Sequence, residues 1–138
     1  AGISCIYVAK RFGCRTVGVE KDAQLVELAR TFAEEAGVSD LCEFVCAQFG
    51  ALDRCWLTEQ RATHVYVLDA VYRAESWNYL FHELIRASSN VVGASVAKFA
   101  RNWPDVMVRV KDSHATVRLT GSTNSFRMAF WMVKEMSL

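Results

Sequence analysis

The feature that most constrains this chain is its rhythm. Up to residue 97, short β-branched runs alternate with longer stretches whose apolar residues recur at helical spacing. TVGVE (16–20), CEFVCAQF (42–49), THVYVLD (63–69) and VVGASVA (91–97) read as strands. ISCIYVAKRF (3–12) and ESWNYLFHELIRA (75–87) read as helices. Between them, Leu25, Leu28, Ala29, Phe32, Ala33 and Ala36 fall on one side of a further helix. Asp22 is suited to cap its start, while Gly13 and Gly37 are suited to end the first two helices. ALDRCWLTEQ (51–60) is a short helix or turn. This regular alternation of strand and helix argues a parallel sheet covered on both faces by the helices.

After Pro104 the rhythm changes. VMVRVK (106–111), ATVRLT (115–120) and FRMAFWMVK (126–134) are three strand-like runs without a helix between them, the last two joined by the polar linker GSTNS. The pattern predicts an α/β fold whose sheet is mostly parallel and finishes in an antiparallel C-terminal hairpin. With 138 residues and no repeat, low-complexity tract or linker, residues 1–138 are expected to form a single domain.

Charge is unevenly spread. Residues 1–97 carry 9 Lys/Arg against 12 Asp/Glu, a net −3, whereas residues 98–138 carry 7 against 3, a net +4. The basic C-terminal third suits an acidic partner or a solvated strand face. Five cysteines sit singly in apolar segments without a CxxC pair, which indicates buried, reduced thiols in an intracellular protein. His64, His82 and His114 lie in different elements, and HELIR lacks the second histidine of a zinc helix, so no metal is expected. No apolar run reaches the roughly 18 residues of a membrane helix.

In an open parallel sheet, ligands bind beyond the carboxyl ends of the strands. Glu20, Gln48 and Asp69 each follow an apolar strand directly. An acid after such a strand can take two hydrogen bonds from the vicinal hydroxyls of a ribose; its other reading is a helix-dipole partner or a solvated loop charge. Gln48 can contact an adenine edge or stay solvated. Asp69 can position a substrate amine or the cofactor, or cap a turn. Gly2, before a helix, a strand and then an acid, is placed like the last residue of a glycine-rich nucleotide loop.

GISCIYVAKRFGCRTVGVEKDAQLVELAR followed by CEFVCAQF resembles the front half of a class I, seven-strand S-adenosylmethionine-dependent methyltransferase. The resemblance implies a Rossmann-like sheet with S-adenosyl-L-methionine as cofactor. It implies that Gly2 closes the acidic-Gly-x-Gly-x-Gly loop, that Glu20 binds the ribose and that Ala47, Gln48 and Phe49 lie beside the adenine. It also implies a first strand in the middle of the sheet, which is absent from these residues. The chain is therefore expected to be a fragment truncated at its N-terminus.

The second half, THVYVLDAVYRAESWNYLFHELIRAS, VVGASVAKFA and the run around TGSTNSFRMAFW, is similar to the non-SET histone-lysine methyltransferases named for disruption of telomeric silencing. That family's fourth strand ends in Asn-Asn-aromatic-x-aromatic, which is here Leu68, Asp69, Ala70, Val71 and Tyr72: Tyr72 matches the last aromatic, and Asp69 replaces the second Asn. This narrower likeness implies a protein lysine acceptor, a histone or nucleosome met by the basic C-terminal third, and a nuclear location in place of the cytoplasm. Asp69 and Tyr72 would act at the reacting centre, and Tyr72, Trp103 and Phe126 would line an aromatic lysine channel. Two other readings stay open: a nicotinamide-dependent dehydrogenase, which also places an acid after its second strand, and a non-catalytic binding module of the same fold.

Overall fold

A computed structural model describes residues 2–68, 75–96, 106–118 and 123–134. The chain divides into two compact units, residues 1–52 and 53–138.

The first unit is built from α1 (Ile3–Phe12), β1 (Thr16–Glu20), α2 (Ala23–Glu35) and β2 (Cys42–Cys46), closed by one 3-10 turn at Phe49–Ala51. β1 and β2 pair in parallel, with Gly18 opposite Phe44 and Glu20 opposite Cys46. α2 starts where the sequence places it. The Asp22 carboxylate accepts the backbone N–H groups of Gln24 (2.8 Å) and Leu25 (3.3 Å), satisfying two donors that the first turn leaves open. Asp22→Ala is expected to cost about 1 kcal/mol of stability, read as a lowered urea midpoint with an unchanged slope. α2 buries Val26, Ala29 and Ala33 against Phe44, with Cys5, Ile6 and Cys42 packed around them. The small alanines let the helix approach the sheet, and burying Phe44 contributes roughly 1.5–3 kcal/mol.

The second unit holds α3 (Trp56–Glu59), β3 (His64–Val67), α4 (Glu75–Ala87), β4 (Gly93–Val96), β5 (Met107–Arg118) and β6 (Ser125–Val133). Its sheet has the order β3-β4-β6-β5; β3 and β4 are parallel, while β6 is antiparallel to both β4 and β5. Phe81, Leu84 and Ile85 of α4 are buried, as are Ala94, Val96 and Met107 of the sheet. His82 is also fully buried, with Phe81 edge-on to its ring at 5.3 Å. Gly93 gives the ring of Phe130 room to lie over the sheet, where it stacks on His64 at 6.0 Å; a Cβ at 93 would stand 2.6 Å from Phe130.

Two expectations need correction. VMVRVK and ATVRLT are not separate strands but one continuous β5. Its register steps from Arg109 opposite Trp131 to His114 opposite Ala129, so residues 110–113 bulge opposite Phe130 alone, with Asp112 at φ 57°. The charged and polar residues between the two apolar runs occupy that irregularity, which interrupts the alternation without ending the strand. CEFVCAQF also stops early: β2 ends at Cys46, and Phe49 opens the 3-10 turn. Among the described residues, β1 has a ladder with β2 alone and β3 with β4 alone.

Candidate nucleotide site at the end of a parallel strand pair

The carboxyl ends of β1 and β2 lie side by side. Glu20 is the last residue of β1, and its carbonyl accepts the N–H of Ala47 at 3.0 Å, which carries the pairing one residue beyond β2. Gln48 follows directly, in extended backbone at the head of the 3-10 turn, with its side chain exposed and making no capping bond; Phe49 is half-buried. Parallel pairing thus brings Glu20, Gln48 and Phe49 to one end of one strand pair, although nearly thirty positions of sequence separate them.

The Glu20 carboxylate is held locally. Its Oε1 accepts the backbone N–H of Asp22 at 3.0 Å, and Asp22 in turn caps α2. No cation pairs with Glu20 among the described residues. A half-buried carboxylate oriented by one backbone donor, with its other oxygen unbonded among the described residues, can accept two further hydroxyl donors. The backbone bond fixes the carboxylate's direction without neutralising it, as an arginine would.

Gly2 precedes α1 in the left-handed conformation, at φ 66°. A Cβ there would come within 2.7 Å of Phe44 and 2.8 Å of Ala29. Gly2 therefore sits against the middle of β2 and α2, where only glycine fits both the dihedral and the space. No side chain caps the start of α1, and no acid lies in its first turn.

Sequence reasoning passed over Gly18. A Cβ on Gly18 would stand 2.9 Å from Phe44 and 3.2 Å from the Cys5 sulfur, so this residue lets α1 and Phe44 close on β1. A glycine inside an otherwise β-branched strand was the available signal. Cys5 fills that contact, although the burial expected of the five thiols is not found: Cys5 and Cys42 are half-buried, and Cys14, Cys46 and Cys55 are exposed. Burial pushes the Cys5 thiol above the usual range, against the smaller opposing effect of its hydrogen bond with Thr16. It is a packing group and not an activated nucleophile.

The remaining sequence-predicted residues are not tested by this geometry. Asp69, Tyr72 and Trp103 lie outside the described residues; Phe126 is placed by its backbone in β6, opposite Val117. Among the described residues no group of acids, histidines and cysteines could hold a metal, and no helix is long and apolar enough to cross a membrane.

No protein-family model and no curated relative matches the chain. Solved structures do. An RNA methyltransferase from Salinibacter ruber, in complex with S-adenosyl-L-homocysteine, is 28% identical over 97% of this chain and 75% of its own, with a TM-score of 0.60. A candidate tRNA methyltransferase from Streptococcus pneumoniae has a TM-score of 0.68 at 11% identity, over 99% of this chain and 61% of its own. Magnesium protoporphyrin IX methyltransferase from Synechocystis, with bound S-adenosylmethionine, has 0.61 at 11%, over 86% and 59%. The chain thus spans three quarters of the first and about three fifths of the other two. The fold is that of the class I S-adenosylmethionine-dependent methyltransferases, a Rossmann-like α/β fold with an antiparallel C-terminal hairpin.

Proposed function

We infer that this chain is the methyltransferase domain of an S-adenosylmethionine-dependent enzyme and that RNA is its methyl acceptor. The observation that carries the reading is the agreement between fold and site. The chain shares nearly its whole length with an S-adenosylhomocysteine-bound methyltransferase. At the strand end where such folds bind nucleotides, it carries a carboxylate with one oxygen anchored and none of its charge cancelled by a described cation.

That carboxylate fits a ribose diol. In this reading Glu20 accepts both ribose hydroxyls, Gln48 meets the adenine edge and Phe49 lies against the adenine ring. Gly2 closes the loop leading into α1, and Asp69 and Tyr72 position the acceptor. When bound, S-adenosylmethionine supplies an electrophilic sulfonium methyl. The protein's share is to hold donor and nucleophile in line and to keep the nucleophile uncharged.

The histone-lysine acceptor suggested by residues 63–98 finds no support in the structural relatives above, two of which act, or are candidates to act, on RNA. Its motif residues Asp69 and Tyr72 lie outside the described residues. A dehydrogenase reading is weakened by the antiparallel β6 inside the sheet. The test is methyl transfer from radiolabelled S-adenosylmethionine to total RNA and, in parallel, to core histones. Label is expected in RNA; label confined to histones would return the acceptor to lysine.

A further inference from the structure

We propose that the β5–β6 hairpin is an RNA-docking surface that grips the phosphate backbone of a single-stranded segment through a file of arginines. The proposal rests on the RNA-acceptor reading and adds to it the surface that would hold the acceptor.

The register supplies the file. Along β6, alternate residues from Ser125 to Trp131 share one face of the hairpin, and their partners on β5 share it with them. Arg118 stands opposite Ser125, Thr116 opposite Arg127, His114 opposite Ala129 and Arg109 opposite Trp131. Arg109, His114, Thr116, Arg118 and Arg127 are all exposed. The seven residues from Ser125 to Trp131 span about 20 Å; on β6 the file is exposed at Ser125 and Arg127 and half-buried at Ala129 and Trp131. It holds no carboxylate, because Asp112, the acid of β5, falls in the bulge.

None of the three arginines is ion-paired to a described residue, whereas Arg15, Arg30, Arg54 and Arg86 each are. With no described carboxylate paired to them, the three guanidinium groups are available to an anion that arrives from outside. A guanidinium fork fits a phosphate with two parallel bonds, and the hydroxyls of Thr116 and Ser125 add donors of the kind that contact phosphate and sugar. Single-file cations match a linear polyanion better than the two-dimensional scatter of carboxylates on an acidic protein. Net charge on the whole chain is only +1, so a bulk electrostatic effect does not stand in for this local one.

The test is fluorescence anisotropy with a labelled single-stranded RNA of about 15 nucleotides, within the usual range for sequence-tolerant sites. Affinity is expected to fall with salt along a slope near −2, about −0.7 for each of three phosphates. Arg118→Ala with Arg127→Ala should weaken binding at least about tenfold and flatten the slope by about 1.4. The single variant Arg127→Gln should give roughly half that flattening. Lys10→Glu, the same double-charge change placed on α1, should leave RNA affinity intact, and S-adenosylhomocysteine affinity should be unchanged in every variant. RNA binding that survives the double substitution with its slope unaltered overturns the hairpin while leaving RNA as acceptor. Wild-type protein that binds S-adenosylhomocysteine but no RNA, or that prefers DNA or core histones, overturns the RNA surface while leaving the cofactor reading in place.

Discussion

Replacing Glu20 with alanine is expected to weaken S-adenosylhomocysteine binding by about 2–4 kcal/mol, a loss of roughly 30-fold to 1,000-fold. The size follows from two charge-assisted hydrogen bonds to a ribose, each worth about 1.5–3 kcal/mol, less what water returns to the freed hydroxyls. Stability should change far less, because the carboxylate's one described bond is to the Asp22 N–H at the entry to α2. Glu20→Gln keeps an acceptor without the charge and should fall between wild type and alanine. Isothermal calorimetry reads the affinities, and a melting curve on the same samples confirms that the fold is intact. An alanine variant that binds as tightly as wild type would remove Glu20 from the site.

Gly2→Ala should have the largest effect on stability, about 2–4 kcal/mol, or a melting temperature lowered by about 3–5 °C per kcal/mol. Two costs combine there. The left-handed backbone at φ 66° strains any residue with a Cβ, and the added atom would press on Phe44 and Ala29 at under 3 Å. Gly13 separates the two. It has the same φ of 66° but nothing within 4 Å of the position a Cβ would take. Gly13→Ala should therefore cost only the conformational share, about 1 kcal/mol. Equal losses at the two positions would show that the contact with Phe44 and Ala29 is not as tight as described.

Why Gly2 and Glu20 were legible in the sequence, and Gly18 was not, has a physical reason. Glu20 ends a β-branched run and precedes a capped helix, so local rules alone mark it as a strand-end acid. Helix limits were equally legible: α1 and α2 begin and end close to the glycines and the aspartate that the sequence offers as caps. The role of Gly18 depends on Phe44 and Cys5, which meet it only across the fold. The hairpin shows the same division. Its existence follows from consecutive strand-like runs without a helix, but the fusion of two runs into β5 depends on how residues 110–113 are accommodated opposite β6. Pairing register, and with it the alignment of Arg109, Arg118 and Arg127 on one face, cannot be read until that bulge is counted. Substrate was the least legible property, since fold does not fix chemistry. The motif positions read for a lysine acceptor sit in residues 69–72, outside the described structure.

The most direct measurement is a calorimetric titration of S-adenosylhomocysteine into the protein, with NADH titrated in parallel. Saturable one-to-one binding of S-adenosylhomocysteine, without heat from NADH, is the expected result. Binding of NADH alone, or of neither ligand by a protein shown to be folded, would contradict the assignment of the β1–β2 carboxyl ends as a site for S-adenosylmethionine.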